Sequence, residues 1–158
     1  MERKTKINAE NGKQDLVITR EFDLPLELLF KAYVEPEIVE QWMGTRVLKL
    51  ENKKHGSWQF ETTDPSGNKY GFNGVIHEFV PNQKITRTFE MENTSFPVQL
   101  EFLEFERLTD DTSKLSMQIV YKSVADRDQM LKLPFAQGLN MAHDRLQDLV
   151  NKLNNKEK

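Results

Sequence analysis

The 158-residue chain contains no cysteine, which removes disulfides, thiolate nucleophiles and sulfur-ligated metals from consideration together and fits a reducing, cytoplasmic setting. It has no run of about 18 apolar residues that could span a bilayer, and the charged stretch Met1 to Gln14 has no apolar segment of the signal-peptide kind. It also has no excess of positive charge. Lys and Arg total 22 against 25 for Asp and Glu, a formal net charge of -3, so no basic field gathers nucleic acid. The seven glycines are scattered singly, without Gly-x-Gly-x-x-Gly or a Walker pattern, and nucleotide phosphates have no cradle. No Pro/Gly/Ser-rich linker, fixed-period repeat or low-complexity tract divides the chain. One domain over 15–153 is expected, between a flexible N-terminal arm at 1–14 and a polar tail at 154–158.

What is present is apolar periodicity in a polar chain: 37% of residues are hydrophobic and 30% charged. Leu16, Ile18, Arg20 and Phe22 alternate with Val17, Thr19 and Glu21, the period-two pattern of a strand with one buried face. Leu29, Phe30 and Tyr33 then share a helical face, and Pro36 opens a second short helix carrying Ile38, Val39 and Trp42, closed at Met43-Gly44. Six strands follow at 46–51, 57–63, 69–80, 84–92, 98–108 and 114–122. Their connections, such as Asp64-Pro65-Ser66-Gly67-Asn68 and Pro81-Asn82-Gln83, are short enough for antiparallel hairpins. A short helix around 126–131 stops at Pro134. The last helix carries Phe135, Leu139, Ala142, Leu146, Leu149, Val150 and Leu153 at spacings of three and four, an apolar stripe that needs a large apolar partner. Only the sheet is large enough. The fold class is therefore α+β: a curved seven-stranded antiparallel sheet around a long C-terminal helix, with two short helices after the first strand.

The residues also carry a resemblance. Ile18-Thr19-Arg20-Glu21-Phe22-Asp23 before Pro25, Leu29-Phe30-Lys31-Ala32-Tyr33 with Pro36-Glu37, Glu40-Gln41-Trp42-Met43-Gly44, His55-Gly56-Ser57-Trp58, the stretch Gly74 to Pro81, and Gln137-Gly138-Leu139 running to Leu149 are similar, in order and spacing, to the START-like or SRPBCC superfamily. Within it, the chain resembles bacterial proteins related to the C-terminal domain of the Hsp90 ATPase activator. The resemblance implies the helix-grip (START/Bet v 1-like) fold, with a cavity between sheet and helix that the superfamily uses for lipids, sterols, polyketides and aromatic compounds. It does not imply a reaction, because the superfamily holds enzymes and binders alike, nor does it imply work on Hsp90.

Catalytic and metal patterns are sparse. His55, His77 and His143 lie far apart with no His-Glu-x-x-His spacing, and there is no Gly-x-Ser-x-Gly elbow. His77 and Glu78, adjacent on a strand, are expected on opposite faces. Glu101, Glu104, Glu106, Asp110 and Asp111 read as a solvated face and turn. The candidate ligand-binding residues are therefore Trp42, Trp58, Phe60, Tyr70, Phe72, Phe89, Phe102, Met117, Tyr121, Phe135, Leu139 and Ala142, with Tyr70, Tyr121 or Arg20 as polar anchor. Arg20 shares the face of Leu16, Ile18 and Phe22, where it would need an acidic partner or an anionic ligand group. The bland alternative, a strand-end arginine reaching solvent, is the favoured one. The expected function is non-catalytic binding of a small hydrophobic molecule, with no cofactor, no metal, no nucleic acid and no membrane insertion, and a homodimer left open. The alternatives are a cyclase or dehydratase using the same cavity, which needs a titratable group pointing inward, and a chaperone-associated interaction domain, which needs an exposed apolar patch.

Overall fold

In the computed structural model, which describes residues 3–156, the alternation of Leu16, Ile18, Arg20 and Phe22 becomes a strand with all four side chains buried. The sheet has eight strands: β1 (Lys6–Asn8), β2 (Asp15–Phe22), β3 (Arg46–Leu50), β4 (Ser57–Thr63), β5 (Lys69–Val80), β6 (Lys84–Met91), β7 (Gln99–Arg107) and β8 (Ser113–Val120). The strand beyond the expected seven comes from the stretch read as an arm. There Lys6, Ile7 and Asn8 pair with Thr19, Ile18 and Val17, and a run this short and polar carries too little alternation to announce itself. Residues 1 and 2 of the expected arm, and 157 and 158 of the expected tail, lie outside the described residues.

All neighbours are antiparallel, in the order β1-β2-β8-β7-β6-β5-β4-β3. Strands β3 to β8 form the expected meander, and β2 joins it beside β8, bringing the two ends of the domain together. Register breaks between Val47 and Lys49 and between Ile76 and Glu78 bend the sheet, as bulges do. The second break corrects the reading of His77 and Glu78. The inserted residue interrupts the alternation, and both side chains are exposed instead of lying on opposite faces.

Helices α1 (Leu26–Val34) and α2 (Pro36–Met43) cover one end of the concave face. Proline stands at the first position of α2, where its missing N–H costs no hydrogen bond, and Gly44 ends it in the left-handed region at φ 62. Phe30 of α1 meets Phe105 and Phe79 edge-on at 5.0 and 5.6 Å, while Tyr33 packs on Trp42 and Phe105 at 5.1 and 5.4 Å. Here the interior is solid. Leu29, fully enclosed, contributes about 1.5–3 kcal/mol by burial.

The short α3 (Val124–Leu131) is capped by the Ser123 side chain, which accepts from the Asp126 backbone N–H at 3.1 Å. It leads into α4 (Phe135–Lys156). The backbone of α4 runs close to α1, α2 and α3, and its side chains reach the sheet, where Asn140 and Asp144 meet Arg20 of β2. In the C-terminal half of α4, Leu146 and Val150 are fully buried and Leu149 and Leu153 partly so, whereas Phe135, Leu139 and Ala142 in its N-terminal half are all only partly covered. The stripe is continuous in sequence, but its two halves meet different neighbours.

Candidate functional site

Between the N-terminal half of α4 and the concave sheet face lies a cavity of about 320 Å³, within the range of small-molecule sites. Its sheet wall is built by alternation: Ile18 from β2, Met117 and Ile119 from β8, Gln99 and Glu101 from β7, and Arg87, Phe89 and Met91 from β6. Tyr121, just after β8, continues that wall. Tyr33, Trp42 and Met43 close one end, with Met130, Phe135, Leu139 and Ala142 opposite the sheet. A second recess of about 220 Å³ under Trp58, Phe60 and Phe72 shares Met43, Arg87 and Phe89 with the first, so the two spaces adjoin.

One polar cluster interrupts this apolar lining. The register pairs Arg87 with Glu101 across β6 and β7, and the Arg87 Nε–H donates to Glu101 Oε1 at 3.0 Å. The Gln99 side-chain amide donates to Glu101 Oε2, also at 3.0 Å. The guanidinium lies over the Trp58 ring, 5.1 Å from its centroid. Burial pushes the Tyr33 and Tyr121 phenols above their ordinary range, with nearby Glu101 adding to the effect and Arg87 or Arg127 opposing it. Both therefore remain protonated at neutral pH. Among the described residues the Tyr121 hydroxyl has no hydrogen-bond partner although it is buried.

Of the residues expected at the site, Trp42, Phe89, Met117, Tyr121, Phe135, Leu139 and Ala142 line the main cavity, and Trp58, Phe60 and Phe72 the recess beside it. Three stand elsewhere. Tyr70 is 46% exposed at a hairpin, where its hydroxyl donates to Asp64 Oδ2 at 3.1 Å. Phe102 alternates with the buried Glu101 and Leu103 and so points to the convex side of the sheet. Arg20 is only 4% exposed and does not line the cavity. Its Nη2 pairs with Asp144 of α4 at 2.8 Å and its Nη1 donates to Asn140 Oδ1 at 3.2 Å. The acidic partner that burial demands is thus supplied by the chain, and the solvent-reaching reading is corrected.

The reading of Glu101 as part of a solvated face is also corrected, since it is 4% exposed. Its charge suggested solvent, yet its parity with Leu103 and Phe105 was the better guide. Arg87, between Ile85 and Phe89 on the same face, was missed for the same reason. Tyr33, Met43, Met91 and Met130 carried helical or strand periodicity that reports burial, not contact with a cavity.

Residues 23–151 match the family model described as Activator of Hsp90 ATPase homolog 1-like protein. No curated protein matches the chain. A solved protein from Rhodobacter sphaeroides has a TM-score of 0.83 at 20% identity, covering 93% of this chain and 99% of that one. One from Mycobacterium smegmatis gives 0.82 at 21% identity, with coverages of 92% and 96%. One from Staphylococcus epidermidis gives 0.78 at 20%, with 90% and 93%. These are likenesses of fold.

Proposed function

The chain belongs to the Activator of Hsp90 ATPase homolog 1-like family, and on that footing we propose that it binds one small hydrophobic molecule between the sheet and α4 without converting it. The observation that carries this reading is the apolar space between α4 and the sheet, lined by aromatic rings and four methionines, Met43, Met91, Met117 and Met130. Methionine side chains adapt to the shape of a guest at little cost. The binding reading is preferred to the enzymatic one because of what the lining groups are free to do. Glu101 is engaged through both oxygens and the phenols hold their protons, so among the described residues the cavity wall offers no disengaged general base. No described helix is long and apolar enough to cross a membrane, and the cysteine-free composition suits a cytoplasmic carrier or store.

Titration with an apolar dye that fluoresces on desolvation tests the proposal, with about one equivalent expected to bind. Ala142→Trp, which projects a ring into the cavity, should abolish dye binding while the fold persists. If the wild-type protein binds no dye and Ala142→Trp unfolds by overpacking, the space is not a ligand site and the proposal fails.

A further inference from the structure

The cavity wall carries a charge whose hydrogen bonds are only partly used. Arg87 spends its Nε–H on Glu101. Among the described residues, its two terminal nitrogens have no hydrogen-bond partner, yet they are not sealed by surrounding atoms. The Gln99 side chain is in the same position: its N–H bonds Glu101, and its carbonyl oxygen has no partner among the described residues and is not sealed. Both residues line the main cavity, and the side chain of Arg87 is 9% exposed.

These groups decide what a guest must carry. A ligand that displaces water from a guanidinium has to return a hydrogen bond or forfeit the desolvation cost of a charged donor. A pure hydrocarbon cannot do so. A carboxylate can, but Glu101 already neutralises Arg87 at 3.0 Å, so a second carboxylate would leave a net negative charge in a poorly solvated space. Resting on the binding function proposed above, we infer that the cavity selects a compact, uncharged molecule bearing a hydrogen-bond-accepting oxygen at one end. A ketone or ester carbonyl is the model group, received by the terminal N–H groups of Arg87, while the apolar body lies toward Phe135 and Leu139. The guanidinium lies over the Trp58 ring, 5.1 Å from its centroid, a contact that restrains where those donors sit. A hydroxyl on the same end of the guest could donate to the Gln99 carbonyl oxygen.

A matched series separates the cases: 2-acetylnaphthalene, 2-ethylnaphthalene and 2-naphthoate share shape and differ in the polar end. Binding is read from quenching of tryptophan fluorescence, since Trp42 lines the cavity and Trp58 adjoins it. The ketone should bind about ten-fold or more tightly than the hydrocarbon, the difference of one hydrogen bond to a charged donor, and the carboxylate should bind more weakly than the ketone. Removing one partner of a buried ion pair threatens the fold, so the variant is the double replacement Arg87→Met with Glu101→Leu, which exchanges the pair for apolar groups. It should retain the hydrocarbon and lose the preference for the ketone. Equal binding of ketone and hydrocarbon to the wild type, tightest binding of the carboxylate, or a ketone preference that survives the double replacement would each overturn this selectivity and leave the apolar cavity intact. Binding of none of the three would overturn the cavity function as well.

Discussion

His143 sits on α4 with 0% of its surface exposed, its Nδ1 2.7 Å from the Thr5 hydroxyl and its ring against Phe22 and Trp42. Burial, helped by the charge of Arg20 and opposed by Asp144, pushes its pKa from the ordinary 6.5 down to about 3. Above pH 6.5 the ring is neutral in folded and unfolded chains alike. As the pH falls below 6.5, the unfolded chain takes up a proton that the folded chain refuses until about pH 3. Stability therefore drops through that window, by on the order of 1 kcal/mol per pH unit. Thermal melts of His143→Gln between pH 7 and 5, above the range where carboxylates titrate, should show a flatter dependence than the wild type. An unchanged slope would remove His143 as the cause. Gly74 is a second residue with a single explanation. A Cβ there would lie 1.9 Å from the Thr88 carbonyl oxygen and 2.5 Å from Trp58 Nε1, so Gly74→Ala should lower the urea midpoint by the equivalent of about 1–3 kcal/mol or more.

At the scale of the element, α4 separates what its sequence joins. Leu139 and Leu146 occupy one stripe, but Leu146 is 0% exposed in solid packing and Leu139 borders the cavity. Leu146→Ala should cost about 2–5 kcal/mol in chemical denaturation, and Leu139→Ala less than about half as much, because its removal enlarges a space that already exists. Comparable losses would mean that the N-terminal half of α4 is packed as tightly as the rest. This is also where reading from sequence ran out. The spacing of Phe135, Leu139 and Ala142 reports a face that must be covered, not how far away its cover stands. Strand positions were easier, since alternation and hairpin turns fix both existence and side, and the meander from Arg46 to Val120 follows the expected bounds to within one or two residues. Where charge and alternation disagreed, as at Arg87 and Glu101, alternation was right: the two charges satisfy each other across neighbouring strands, a pairing that only the register reveals.

For the whole molecule, a guest that binds only the folded chain adds to its stability by mass action, about 2.7 kcal/mol at a hundred times the dissociation constant. In a domain of this length that corresponds to a rise in Tm of roughly 2–4 °C per kcal/mol. The rise should appear with the dye and the wild-type protein and vanish with Ala142→Trp; a rise retained in that variant would place the bound molecule elsewhere. The gap beneath α4 also leaves a thermal signature. Leu139, Phe89 and Met117 present apolar surface to that open space, so a guest that covers them removes apolar area from water and binding should carry a negative heat-capacity change. Calorimetry at several temperatures should show a binding enthalpy that grows more favourable on warming, and the same titration of Ala142→Trp should lose that trend.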